Sequence, residues 1–252
     1  MNPFKFRKAA ALYAIGVFVL SATLVTGVRA QSPGVDPSAS QILKRMTDYL
    51  GGLKQFSVHT QNTLEDWLDS GHKIDFDVSA NVTIRRPNKI HAARKGELID
   101  QDFYYDGETL TLYSPSDKVY ATEPAPGTFE ELFKFMFESL GFLVPVSDLV
   151  YEDAFPLLMQ DVIFATVIGK TFIGGVKCDH LLFSRPGVDF QVWVADGDKP
   201  LPYKYVVTDT GRPGRLSIST VMSDWDLNPT VNDARFSFVP PKGVRQINFM
   251  PF

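Results

Sequence analysis

The sequence is poor in cysteine: Cys178 is the only one in 252 residues. That excludes a fold stapled by disulfides and a metal centre built on several thiolates. Histidine is scarce too, and His59, His72 and His91 fall in separate segments without an obvious carboxylate partner, as expected of ordinary surface or strand-edge residues. The chain also lacks a Gly-rich phosphate loop, a nucleophile elbow and a helix carrying paired histidines. Basic charge is short outside the first 30 residues. The formal charge is −4, yet Lys5, Arg7, Lys8 and Arg29 all lie in that segment, which holds no acidic residue. Taking those four from the 25 Lys and Arg leaves 21 against 29 acidic side chains, a net −8. Such a chain is not expected to bind nucleic acid or an anionic membrane surface.

Residues 1–30 read as a secretory signal peptide, with a basic start, an apolar run from Ala9 to Val25 and small residues at Val28 and Ala30. Cleavage near Gln31 is the expectation, and an uncleaved membrane anchor is the alternative, since the run approaches the roughly 17 residues needed to span a bilayer. No other stretch is apolar and long enough to cross. Cys178 lies far from the signal, so no lipid is expected on a cysteine after the cleavage site. Together these features point to a periplasmic protein with no stable membrane insertion once the signal is removed.

Asp36-Pro37 reads as the start of a helix, and Ile42, Leu43, Met46, Tyr49, Leu50 and Leu53 recur at helical spacing up to Gly51-Gly52. From Phe56 the period becomes two. Ile74, Phe76, Val78, Ala80, Val82 and Ile84 alternate with polar residues, the pattern of a long strand buried on one face. Turn signals at hairpin intervals bound further strands at 89–95, 101–105, 109–114, 118–123, 162–172, 176–184, 189–195, 202–209 and 215–225. Residues 128–160 lose the alternation and read as helices broken near Gly141 and Pro145. The order is helix, about five strands, a helical insertion and five more strands. It predicts an α+β fold: a strongly curved antiparallel sheet, an open, incomplete barrel, with helices to close it.

In the insertion, Phe129, Phe133, Met136, Phe137 and Leu140 form a continuous stripe, with Leu132 and Phe135 off it. A helix apolar on more than one side either packs over one end of the sheet or lies over an apolar cavity. Five phenylalanines between 129 and 142 favour a lining for an apolar ligand. Elsewhere Cys178 and His180 share a strand face with Val176 and Leu182, and two ligands do not complete a metal site. Asp224 and Asp226 flank Trp225 and, on a regular strand, share one face about 7 Å apart, a spacing compatible with an inverting glycosidase. Acidic residues on a wet strand face with Trp225 inward need no chemistry, and that is the preferred reading. No catalytic residue, metal or cofactor is expected.

Four stretches, QFSVHTQNTL, ANVTIRRPNKIHAA, DFYYDGETLTLYSPSDKVYAT and ARFSFVPPKGV, resemble in order and spacing parts of the periplasmic lipoprotein carrier LolA and its relatives. With KRMTDYL, VKCDHLLF, QVWVADGDKPLPYKYVV and SDWDLNP, the mature chain more closely resembles a family of uncharacterised bacterial predicted periplasmic proteins of that superfamily. The resemblance implies a LolA-like half barrel spanning residues 31–252, with an apolar concave face and a helical lid at 128–160. It also implies that Arg86, directly before Pro87-Asn88, is a latch holding the lid helices shut. The insertion from Thr128 to Gln160 departs from the carrier's lid sequence, which leaves the cargo open.

The function expected is a periplasmic binding or carrier protein for a lipophilic ligand, a lipid or a lipoprotein acyl chain, without covalent chemistry. Phe76, Val78, Phe129, Phe133, Met136, Phe137 and Leu140 are expected to line the cavity and lid. The alternative is an envelope protein-interaction or sensing module using the same sheet, with an envelope protein as partner. A hydrolase at Asp224 and Asp226 is the weakest of the three readings.

Overall fold

Strands that alternate between apolar and polar residues can bury one face only, and this chain covers one face of a single curved sheet with helices. The structure is a computed structural model that describes residues 34–142 and 144–249. The expected signal segment lies outside the described residues.

Helix α1 (Pro37–Gly51) starts where Asp36 accepts the backbone N–H of Ser38 at 2.8 Å, with proline in its first turn. Its apolar face buries Ala39, Leu43, Met46 and Leu50. Six strands follow in hairpin succession: β1 (Gln55–Trp67), β2 (Lys73–Arg85), β3 (Lys89–Gly96), β4 (Asp100–Tyr105), β5 (Thr109–Ser114) and β6 (Val119–Pro124). The insertion contains α2 (Phe129–Glu138), a single 3-10 turn at Ser147–Leu149 and α3 (Ala154–Met159). Strands β7 (Phe164–Ile173), β8 (Val176–Arg185), β9 (Val188–Ala195), β10 (Pro202–Asp209) and β11 (Ser217–Asp226) complete the long strands. A 3-10 turn at Asp233–Arg235 and a two-residue strand, β12 (Arg245–Gln246), which runs parallel to β6, are elements the sequence pattern did not reveal.

The strand order is β12-β6-β5-β4-β3-β2-β1-β11-β10-β9-β8-β7, with every pairing except β12 to β6 antiparallel. Strand β1 therefore joins the first meander to the second, and the sheet stays open between β7 and β12. Residues 34–36 lie along the free edge of β7, where Asp36 donates to the Ala165 carbonyl at 3.0 Å.

Register fixes which side chains face the helices. Phe56 pairs with Ile84 and Ile84 with Ile90, and the same parity carries Val58, Val82, Phe103, Tyr105, Leu110 and Leu112 onto the covered face. In the second meander Val192 stands between Leu181 and Tyr205 on that face, and Phe183 stacks on Phe190 with centroids 4.8 Å apart. These residues and the buried sides of the helices form one continuous core.

The outer face is closed in part by the C-terminal segment. Phe238 sits among Tyr104, Tyr113 and Tyr120, with centroids 5.0 to 5.3 Å away. Beside it His91 is buried rather than exposed as expected, because it packs against Tyr104, tilted by 60° with centroids 4.6 Å apart. Desolvation, reinforced by the charge of Arg235, pushes its pKa down to about 4.

Candidate functional site: the concave face and its helical cover

Helix α2 begins at Thr128, whose hydroxyl accepts the backbone N–H of Glu131 at 3.2 Å. Phe129, Leu132, Phe133, Met136 and Leu140 then bury a stripe spaced by three, four and seven residues. Phe137 departs from the expected stripe: at 62% exposure it points outward, and Leu132 takes the inward position. Positions 132 and 137 flank the face centred on 129, 133, 136 and 140 on opposite sides, and the core lies on the side of Leu132. Phe137 instead edges an outer cleft of about 220 Å³ that Phe133, Phe142, Val144 and Tyr151 also line. That volume is below the roughly 300 Å³ of ordinary small-molecule pockets. A larger groove of about 570 Å³ runs past Tyr151, Pro156, Leu157 and Met159 and is wide open to solvent.

Beneath the helices the face is filled by the protein's own side chains. Leu43, Met46, Leu132 and Leu158 meet Phe183, Phe190 and Val192, all nearly inaccessible. An acyl chain can enter there only if a helix gives way.

Beyond the helices the same face is apolar and, among the described residues, uncovered. Ile74, Phe76 and Val78 on β2, Leu64 on β1 and Ile218 on β11 share its parity and are only partly buried. They stand outside the main core. The expected site residues thus fall in two places: Phe129, Phe133, Met136 and Leu140 are packed into the core, and Phe76 and Val78 belong to the open strip.

Between the two regions runs a polar belt. Thr220 donates to Asn62 Oδ1 at 2.8 Å, and Asn62 Nδ2 donates to Thr60 Oγ1 and to the Val78 carbonyl, each at 3.0 Å. Arg94 and Gln101 continue the belt across β3 and β4. The sequence reading overlooked these residues, although Ile90, Ala92 and Arg94 share one strand parity and so one face.

Arg86 lies at the far end of β2, where its peptide bond to Pro87 is cis. Its Nε donates to the Leu53 carbonyl at 3.1 Å and Nη2 to the Leu50 carbonyl at 3.5 Å, so it caps the C-terminal end of α1. The guanidinium also lies 6.0 Å from the Phe129 ring centroid. Burial lowers its pKa, partly offset by the charges of Glu152 and Glu130, which flank α3 and open α2. One cation therefore faces all three helical pieces. Packing at this junction is tight: a Cβ on Gly51 would collide with the Glu152 carbonyl oxygen. Farther along, desolvation raises the pKa of Asp148, and the nearby Arg185 partly offsets it. Arg185 itself donates to the Leu157 carbonyl at 3.4 Å.

The other candidates resolve into local structure. His180 stacks on Trp193 at 4.0 Å and its Nε2 contacts Gln191 Oε1 at 2.9 Å, while Cys178 is buried with its thiol pKa raised to about 11 by desolvation. No group of three or more metal-ligating side chains occurs among the described residues. Asp224 has φ +52° and sits in a bulge, so the regular alternation expected to put Asp224 and Asp226 on one face is interrupted there. Trp225 turns inward against Phe56 with centroids 5.6 Å apart.

Solved structures similar to this chain include LprF from Mycobacterium bovis, at 15% identity and a TM-score of 0.50, covering 79% of this chain and 98% of that one. They also include lipoprotein LppX from Mycobacterium tuberculosis, at 15% identity and a TM-score of 0.45, with 78% and 100% covered. A LolA superfamily protein from Nitrosomonas europaea matches at 12% identity and a TM-score of 0.41, with 79% and 97% covered. No curated protein matches the sequence. No helix among the described residues is long and apolar enough to cross a membrane. The model of the family described as "Predicted periplasmic protein (DUF2092)" matches residues 39–250, and the chain belongs to that family.

Proposed function

We propose that this protein is a periplasmic binding or carrier protein for a lipophilic ligand, exported through cleavage of residues 1–30 and acting without covalent chemistry. The observation that carries the reading is the open strip of Ile74, Phe76, Val78, Leu64 and Ile218, an apolar continuation of the concave face beyond its helical cover. A protein that had only to fold gains little from leaving such a strip half-wet. Each methylene laid on it gains up to about 0.8 kcal/mol, so one acyl chain supplies ample affinity without a polar hot spot.

In this reading the helices are a lid that yields to deeper insertion of the chain. Arg86 is its latch: its hydrogen bonds to Leu50 and Leu53 must break before the end of α1 leaves the sheet. Protein purified natively from its own host is expected to carry lipid, seen as a mass increment by native mass spectrometry, and to release a bound fluorescent fatty acid to competing lipid. Unliganded protein in the first measurement together with no probe binding in the second overturns the reading.

A second reading, an envelope protein-interaction module, is favoured by one feature. The edge strand β7 exposes Ile168 and Phe172 at 55% and 68%, beside backbone groups beyond Ala165 that no strand pairs among the described residues. Capture of an envelope protein that Phe172→Ser abolishes, with no lipid bound, is the result that decides for it.

A further inference from the structure

Arg94 is a cation on the concave face that no carboxylate neutralises among the described residues. Strand β3 presents it toward the helices in register with Ala80 on one side and Gln101 on the other. Its Nε and Nη2 both donate to Gln101 Oε1, at 3.2 and 2.7 Å. The guanidinium lies 4.6 Å from the centroid of Phe103 and 6.0 Å from that of Phe142, in the segment that follows α2. Desolvation pulls its pKa down to about 10, with no acidic side chain offsetting it.

Two aromatic faces return about 1 to 2 kcal/mol each to a desolvated cation, less than the several kcal/mol that losing its water costs. The cross-strand partner is also chemically telling. A glutamate at 101 would orient the guanidinium and cancel its charge; glutamine orients it and leaves the charge available. With Nε and Nη2 committed to Gln101, the Nη1 edge is left for an incoming acceptor. Val78 and Phe76, the start of the open strip, lie on the same face of the neighbouring strand.

We propose that Arg94 anchors an anionic headgroup, a carboxylate or a phosphomonoester, of a lipid whose chain lies along Val78, Phe76, Leu64 and Ile218. This rests on the concave face being the lipid site, and it adds the polarity and charge of the ligand. Gln101 is the positioning residue that holds the guanidinium in place.

The test compares three ligands of one chain length, dodecanoic acid, dodecyl phosphate and dodecanol, by displacement of a neutral fluorescent probe from the full chain. The wild type is expected to bind at least one of the anions ten-fold or more tighter than the alcohol, and the tighter of the two names the headgroup. Arg94→Gln is expected to bind the alcohol as the wild type does and to lose the preference; retained alcohol binding reports that the variant is folded. Should it not fold, Gln101→Glu provides the second arm, because an internal carboxylate on Arg94 removes the same preference. Equal wild-type affinity for the anions and the alcohol, or a preference that survives both substitutions, overturns the proposal while leaving lipid binding intact. A wild type that binds none of the three overturns the lipid site and the anchor together.

Discussion

The two ends of the concave face share a strand pattern and differ in what lies on them. At one end of the first meander Phe56, Val58 and Ile84 are sealed in the core with the helices; at the other Phe76, Val78, Leu64 and Ile218 have the same parity and, among the described residues, no helix above them, although in the second meander Phe183 and Phe190 of the same cross-strand row are buried. The first end holds the fold together, and the second is apolar surface in excess of what folding needs. On β1 to β4 and β11 a polar belt of Thr60, Asn62, Thr220, Arg94 and Gln101 lies between them. In the proposed reading stability and binding fall to different residues of one sheet, and substitutions can separate them.

The largest loss of stability is expected in the sealed core. Phe183→Ala leaves a cavity against Phe190 and costs roughly 3 to 5 kcal/mol, read as a drop in the thermal or urea midpoint. At the helix junction Arg86→Leu leaves the Leu53 carbonyl without its donor and the Leu50 carbonyl with backbone donors alone, a loss of about 2 kcal/mol, and faster lipid exchange is expected with it. Gly51→Ala acts at the same junction by collision with Glu152, at about 1 to 3 kcal/mol in equilibrium unfolding. In the open strip the order reverses. Phe76→Ser is expected to change stability by less than about 1 kcal/mol and to weaken fatty-acid binding clearly in the probe assay. Equal losses of stability at Phe183 and Phe76 would erase the distinction between the two ends.

A pH-dependent effect concerns the back of β3, opposite Arg94. His91 titrates near pH 4 in the folded protein against an ordinary value of 6.5, because it is buried and faces the charge of Arg235. The unfolded chain binds this proton first as pH falls, so the contribution is fully present above about pH 6.5 and is lost progressively towards pH 4. His91→Gln is expected to flatten the urea midpoint over that window.

The strands were legible because a sheet buried on one face writes a period of two into every strand, from Phe56 to Trp225. Their division into sealed and open ends was not. Phe76 and Ile84 occupy equivalent positions in the pattern, and only the reach of the helices separates them. The helical insertion was legible, but its inward face was misjudged by one position, Phe137 for Leu132, because the two flank the stripe on opposite sides and only packing against the core decides between them. Irregularities were invisible in the pattern: the bulge at Asp224 depends on the backbone opposing Val58, and β12 is too short to carry a period. Arg94 was legible in principle, since it keeps step with Ile90 and Ala92, but its lack of a carboxylate partner is a property of the assembled face.

The central claim is that the open end of the concave face is where lipid sits. Amide hydrogen exchange with and without dodecanoic acid addresses it directly. Slower exchange in residues 60–66, 74–80 and 217–220, with little change in β8 and β9, is the predicted result. Unchanged exchange in those segments, or protection confined to the free edge of β7, would contradict it.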